Sequence, residues 1–81
     1  MENQEDELVD SLRQHLGESV AVKMSSGVVY RGILDSVDEN MNFTLTNTKE
    51  MTMSVDQSVE VTNVGTIIIR AHLISILSLQ R

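Results

Sequence analysis

The spacing of apolar residues changes at Gly17, and this change constrains the fold more than any other feature of the 81-residue chain. Over residues 6–16, apolar side chains recur every three or four positions and acidic residues crowd the start, which predicts a helix that Gly17 can end. From Val20 to Met24 the spacing falls to two, which predicts a strand, and a turn at 25–27 follows it. We therefore expect one short helix followed by a β domain.

Four further strands follow from the same alternation, over residues 28–37, 41–53, 59–70 and 73–79. Gly32 interrupts the second strand, where a missing side chain permits a sharp bend or a close approach of two backbones. The chain has no proline, which would argue against a central strand, so all five strand assignments stand. The sequence predicts a mostly β fold, in which the helix leads a strongly bent, five-stranded antiparallel small barrel over about 19–79.

The last two strands carry more apolar residues than one buried face requires. Ile67–Ile69 and the pairs within 73–77 place apolar side chains at successive positions, so both faces of each strand require burial. A barrel of this size has only one inside. Either the helix covers the outer faces in a monomer, or the strands pair with edges of another chain, and a head-to-tail contact of that kind can close into a ring.

Charge and composition argue against several classes of function. The net charge is −6, and residues 1–10 hold five acids and no base, so we expect a flexible acidic N-terminus over 1–5 and a domain over 6–81. This balance disfavours binding to double-stranded DNA through a broad basic surface. Tyr30 and Phe43 are the only aromatic residues, so the stacking platforms of common RNA-binding modules are missing. Apolar runs are about three residues long, against the roughly 20 of a membrane helix, and we expect a soluble, intracellular protein with no membrane partner.

Catalytic and metal sites have little support in the sequence. Asp35, Asp38 and Glu39 are acidic, but no nucleophile with its base accompanies them. A calcium loop from Asp38 would need glycine at its sixth position and an acid at its twelfth, where Phe43 and Lys49 stand. The chain has no cysteine, and its two histidines lack the spacing of a metal site. We expect no enzymatic activity, no metal and no cofactor.

Two segments resemble the motifs of the Sm and Sm-like (LSm) proteins. The first is VAVKMSSGVVYRGILDSVDENMNFTL, residues 20–45, and the second is IIIRAHLISIL, residues 67–77. The first match is specific because five positions are spaced jointly as in the family: Gly27, Gly32, Asp38, Met41 and Asn42. The resemblance implies the Sm fold, an N-terminal helix on a bent five-stranded barrel. It also implies rings of six or seven subunits, closed between fourth and fifth strands, that hold single-stranded, uridine-rich RNA at a central pore.

The resemblance implies a role for each of several residues. Asn42 would recognise a base, since a carboxamide offers both a donor and an acceptor that match uracil. Arg70 would stack on a base and add positive charge near phosphate. Asp38 would orient Asn42 or Arg70, and Met41 would anchor the loop in the core.

Three further positions belong to the implied RNA site, and two of them depart from the family pattern. Asn40 stands where many members have an aromatic residue or a histidine that stacks on the base. Ala71 stands where glycine is usual, and it would cost roughly 1 kcal/mol in strain if this position needs a positive φ. His72 follows Ala71 in the same loop.

The resemblance leaves two functions open. The chain is either an RNA-binding ring subunit of small nuclear ribonucleoprotein (pre-mRNA splicing) or messenger RNA decay complexes, or a structural subunit that contributes mainly protein–protein contacts. Its partners would be other Sm/LSm subunits or further copies of itself, in the nucleus or cytoplasm if the cell is eukaryotic. The departures at Asn40 and Ala71 and the acidic N-terminal segment favour the structural subunit, and substitution of Asn42 or Arg70 separates the two.

Overall fold

The N-terminal helix ends earlier than its sequence pattern indicates. The computed structural model describes residues 10–80, of which 10–13 are helical and 14–17 form turns. The predicted start of the helix at residue 6, and the boundary between residues 5 and 6, lie outside the described residues. The helix ends three residues before the predicted position because the N–H groups of Gln14, His15 and Leu16 donate to carbonyls only three residues earlier. Gly17, at φ +87°, then donates its N–H to the Leu34 carbonyl at 2.7 Å and directs the chain onto the sheet.

Five antiparallel strands form one sheet, as the alternation predicts. Their bounds are β1 Ser19–Met24, β2 Val29–Val37, β3 Asn42–Met53, β4 Val59–Arg70 and β5 Ile74–Leu79, with a 3₁₀ turn at Ala71–Leu73. The strand order is β4-β3-β2-β1-β5, so the fourth and fifth strands lie at the two edges. Both free edges therefore belong to the strands with the excess of apolar residues.

The core lies on the concave side of the bent sheet, beneath the helical residues. Its buried apolar residues are Leu12, Val20, Val22, Leu34, Val37, Phe43, Leu45 and Ile69. Outside it, large apolar side chains remain exposed on both edge strands, including Ile68 at 71% and Ile76 at 56%. Within residues 10–80, no helix is long and apolar enough to span a membrane.

Gly32 lies where β2 crosses β3 most closely. A Cβ atom at this position would be 2.8 Å from Thr48 Oγ1 and 2.9 Å from the Thr46 carbonyl oxygen. The pairing register of β2 with β3 shifts beside Gly32, and that of β3 with β4 shifts around Thr48. The close approach predicted for this glycine is confirmed. Beyond it the β3–β4 hairpin continues outward, which gives the molecule extents of 49 × 22 × 21 Å.

Candidate functional site

The loop between β2 and β3 is held by one carboxylate. Asp38 Oδ1 accepts the backbone N–H groups of Asn40 and Asn42, both at 2.9 Å. Asp38 Oδ2 accepts the side-chain amide of Asn42 at 3.0 Å. The backbone closes the same loop, since the Met41 N–H donates to the Asp38 carbonyl at 3.1 Å and the Asp38 N–H donates to the Asn42 carbonyl at 3.0 Å. Asn42 is therefore fixed through both its main chain and its side chain.

Met41 joins this loop to the second predicted motif. Its backbone has φ +61°, and its carbonyl accepts the N–H of Ala71 at 2.9 Å. Its side chain is partly buried against the core, as is Ala71. Both border an apolar pocket of about 310 Å³, which is lined by Leu12, Met41, Phe43, Ala71, Ile74 and Leu77. The packing places Met41 where the resemblance implies a loop anchor.

Arg70 is the direct cross-strand partner of Asn42. The two residues are opposite each other in the ladder between β3 and β4, although they are far apart in sequence. Directly opposite residues of antiparallel strands have Cβ atoms about 4.5–5.5 Å apart, so both side chains emerge at one place. Arg70 is exposed and Asn42 is half-buried. Among the described residues, no carboxylate lies within 4.0 Å of the Arg70 guanidinium, so its charge is available to a ligand.

The remaining predicted positions lie within two residues of Asn42 or Arg70 in the sequence. Ala71 begins the 3₁₀ turn, and it is not among the described non-glycine residues with positive φ. Alanine therefore fits this position without backbone strain, and the energetic cost expected for alanine at a positive φ does not arise. His72 lies in the same turn and is exposed. Asn40 is also exposed, at the tip of the loop that Asp38 holds.

The charge state of Asp38 determines what Asn42 can offer. Hydrogen bonds from the Asn42 backbone and then from its side-chain amide lower the pKa of Asp38, and the positive charge of Arg13 adds to this effect. An ionised carboxylate only accepts hydrogen bonds, so the amide nitrogen of Asn42 must face Asp38. The Asn42 Oδ1 atom and one N–H of the amide are then left for a ligand. Arg13 was not predicted as part of this site, and nothing in its spacing from Asp38 signals their proximity.

The part of the chain that the structure describes contains no candidate metal-binding site. No group of three or more histidine, aspartate or glutamate side chains in residues 10–80 is arranged to hold an ion. The arrangement offers instead a small polar surface with one donor–acceptor amide and one guanidinium.

Comparisons with known proteins identify the family of the chain. The family model of the LSM domain matches residues 10–79. The U6 snRNA-associated Sm-like protein LSm6 of Neurospora crassa is 51% identical over 39 residues, 48% of this chain and 48% of the relative. The corresponding protein of Coccidioides immitis is 56% identical over 34 residues, 42% of each chain. The matched segment thus spans about half the length of these curated relatives.

Solved structures extend the likeness to the whole fold. A heptameric archaeal Sm protein, described as having implications for the eukaryotic snRNP core, superposes with a TM-score of 0.68 at 28% identity, covering 89% of this chain and 98% of that one. The SmAP1 heptamer of P. aerophilum superposes with a TM-score of 0.69 at 28% identity, covering 89% and 90%. With the domain match over residues 10–79, this likeness shows that the chain belongs to the LSM domain family of Sm and Sm-like proteins.

Proposed function

We propose that this chain is an RNA-binding subunit of an Sm-like ring that holds single-stranded, uridine-rich RNA at its central pore. One observation carries the proposal: Asp38 accepts three hydrogen bonds within its loop, which hold Asn42 directly opposite Arg70, and no carboxylate of the described residues lies within 4.0 Å of the Arg70 guanidinium. Two of those bonds go to Asn42 itself, and the third, from Asn40, fixes the loop that presents it.

Recognition of uracil follows from the groups that Asn42 leaves free. Its Oδ1 atom accepts the N3–H of the base, and its remaining amide N–H donates to a neighbouring carbonyl of the same base. Cytosine lacks an N3–H and could fill this acceptor only with its N4 amino group, which requires a shifted position of the base. Arg70 stacks its planar guanidinium on the base or pairs with the adjacent phosphate. His72 and Asn40 border this site, and Ala71 begins the turn that directly follows Arg70.

Assembly into a ring would give the free edges of the sheet their partners. The β5 edge of one subunit adds to the β4 edge of the next, which supplies the unmet backbone hydrogen bonds of both strands. Exposed Ile68, Leu73 and Ile76 lie on or beside these edges and become buried in such a contact. Because the two edges differ, the contact is head-to-tail and closes when the rotation per subunit fits six or seven copies. Both structural neighbours are described as heptamers, which supports seven.

The class of RNA is inferred from the named relatives. Those relatives are described as associated with U6 small nuclear RNA, so we place this chain in small nuclear ribonucleoproteins of pre-mRNA splicing or in related messenger RNA decay complexes, in the nucleus or the cytoplasm. Its partners there are other Sm-like subunits or further copies of itself.

The acidic composition is compatible with this function. One subunit contributes one base site with one positive charge, so affinity comes from linking several such sites around the ring. Few phosphate contacts are needed, and binding falls less steeply with salt than it does for a basic-patch binder.

Substitution of the site in the assembled ring tests the proposal. Asn42→Ala removes the base contact and should weaken binding of fluorescent hexauridine by about 5- to 150-fold, the equivalent of roughly 1–3 kcal/mol. Arg70→Ala should weaken it similarly. Asn63→Ala and Arg31→Ala change the same residue types elsewhere on the sheet and should leave affinity unchanged. Native mass spectrometry of every variant verifies the ring, and unchanged affinity in intact Asn42→Ala and Arg70→Ala rings would show a structural subunit instead.

A further inference from the structure

Basic residues gather on the convex face of the sheet, at the end of β3 far from Asn42. Arg31 of β2 is directly opposite Lys49 of β3, and both are exposed. Lys23 points to the same side of β1, because Val22 beside it is buried in the core. We call Lys23, Arg31 and Lys49 the cationic row. It holds three of the six basic residues of a chain with net charge −6.

An exposed apolar ladder continues from the cationic row along the β3–β4 hairpin. Met51 is opposite Val61 and Met53 is opposite Val59, and alternation puts all four on the face that Lys49 occupies. Met53, Val59 and Val61 are 71%, 58% and 57% exposed. We call these four residues the hairpin ladder. Two adjacent apolar pairs on a projecting hairpin form the kind of surface that partners cover.

A shallow concavity joins the two features. Its volume is about 580 Å³, and its lining includes Arg31, Lys49, Asn47, Met51 and Val61. Asn63, directly opposite Lys49, adds a further amide at its margin. A ligand in this concavity would meet two cations on one side and aliphatic carbon on the other.

The two glutamates in the strands of the hairpin lie on its opposite face, and Asp56 lies in the turn at its tip. Glu50 accepts a hydrogen bond from Tyr30 on that side at 3.0 Å, and Glu60 alternates away from Val59 and Val61. Within residues 10–80, the ion pairs formed are Asp10–Arg13 and His15–Glu18, so the cationic row has no bound carboxylate. Like charges directly opposite each other destabilise a sheet, and the Arg31–Lys49 pair therefore carries a cost that an anionic partner would remove.

The chemistry of this face favours an acidic protein segment over RNA. Tyr30 points to the other face and Phe43 is buried, so no aromatic ring is available for base stacking. Aliphatic side chains instead match Leu, Ile or Val of a partner. We propose that the cationic row and the hairpin ladder together dock an acidic segment of a partner protein, whose carboxylates lie between Arg31 and Lys49 and whose aliphatic side chains cover Met51 and Val61.

The docking face and the Asn42 site are separate. Lys49 lies seven residue steps along β3 from Asn42, at most roughly 23 Å at the rise of a strand. An RNA and an acidic segment could thus occupy one subunit together.

Three synthetic peptides test the proposal with the 81-residue chain. The first, EELVDELVDELV, carries both acids and aliphatic residues, QQLVNQLVNQLV lacks the charge, and EESSDESSDESS lacks the aliphatic groups. Fluorescence anisotropy should show binding of the first, at least 10-fold weaker binding of each of the others, and weakening of the first as salt rises. Absence of binding by the first peptide, or equal binding by the third, overturns the proposal.

Variants of the protein locate the peptide. Arg31→Glu with Lys49→Glu should weaken binding at least 10-fold, and Val61→Ser should weaken it severalfold. Arg13→Glu reverses one charge on the helical segment, half the charge change of the double variant, and Asn42→Ala alters the RNA site, so both should leave peptide affinity unchanged. Circular dichroism verifies the fold, and Arg31→Gln with Lys49→Gln replaces the double reversal if that variant does not fold. If Arg13→Glu weakened peptide binding as much as the double variant does, the attraction would be one of general charge. If the double variant lost hexauridine binding but kept peptide binding, the face would be assigned to RNA.

Discussion

Replacing Gly32 with alanine would force a methyl group into the closest approach between β2 and β3. The added Cβ would lie 2.8 Å from Thr48 Oγ1, 2.9 Å from the Thr46 carbonyl oxygen and 3.3 Å from Thr48 Cα. Two of these neighbours are backbone atoms, so a side-chain rotation cannot relieve the overlap. Thr48 is itself 1% exposed, and the sheet must open to admit the methyl group.

The expected cost combines two opposing effects. Inserting a methyl group into a packed interior costs about 1–3 kcal/mol. Gly32 does not have a positive φ, so alanine also reduces the entropy of the unfolded chain and returns about 0.4–1 kcal/mol. For the middle of the first range, about 2 kcal/mol, the net loss in the free energy of unfolding is about 1–1.6 kcal/mol. In a domain of this size each kcal/mol lowers the Tm by about 4–8 °C.

Thermal and urea unfolding followed by circular dichroism measure this loss, and two variants of Thr48 identify its origin. Thr48→Ser keeps the hydroxyl group and Thr48→Ala removes it, while both lose the same methyl group. Alanine at position 32 crowds the Oγ1 atom of residue 48. In the Gly32→Ala background, the free energy of unfolding should therefore be about 1 kcal/mol more favourable to alanine over serine at position 48 than it is in the Gly32 background. A neutral or stabilising Gly32→Ala, or strict additivity with Thr48, would refute the close approach.

Two further predictions concern the hairpin tip and the sheet edge. Hydrogen bonds from the Ser54 hydroxyl, then from the Ser58 hydroxyl and backbone, lower the pKa of Asp56 to about 2. The contribution of these bonds to stability is therefore present above pH 3.8 and is lost as the pH falls toward 2. Carbon-13 NMR should give a midpoint near 2, and Ser54→Ala with Ser58→Ala should return it toward 3.8, whereas an unchanged midpoint would contradict the assigned bonds. Ile68→Asp should prevent ring formation in light scattering with little loss of subunit stability, because the side chain is 71% exposed in the isolated chain. Val55→Asp, at the fully exposed hairpin tip, is the control, and an intact ring in Ile68→Asp would argue against the β4 edge.

The strands could be predicted because their evidence is local. Buried Val20 and Val22 alternate with exposed neighbours, and the predicted β4 bounds agree with the structure. The helix end could not be predicted in this way, since Leu16 has the correct spacing for a helical apolar face. That spacing is overridden by the bond from the Gly17 N–H to Leu34, a contact made only after β2 is in place.

The candidate site was accessible to sequence reasoning only through the family resemblance. Alternation alone does not specify which residue of β4 lies opposite Asn42, because register depends on bulges that the sequence does not mark. The structure gives that partner as Arg70 and brings Asp38 against both the main chain and the amide of Asn42. The basic pair of Arg31 and Lys49 was missed for the same reason, since only the register of β2 with β3 makes these residues neighbours.

One bulge in β3 creates the convex face on which the docking proposal depends. Phe43 and Leu45 point into the core, so strict alternation would send Lys49 inward as well. Asn47 has φ +50°, a conformation that asparagine tolerates better than most residues, and the register shifts there. Thr48 then takes the buried position, and Lys49 and the hairpin ladder turn outward. A one-residue change of register at Asn47 thus lets a single strand present Asn42 beside the barrel core at one end and a cationic, aliphatic face at the other.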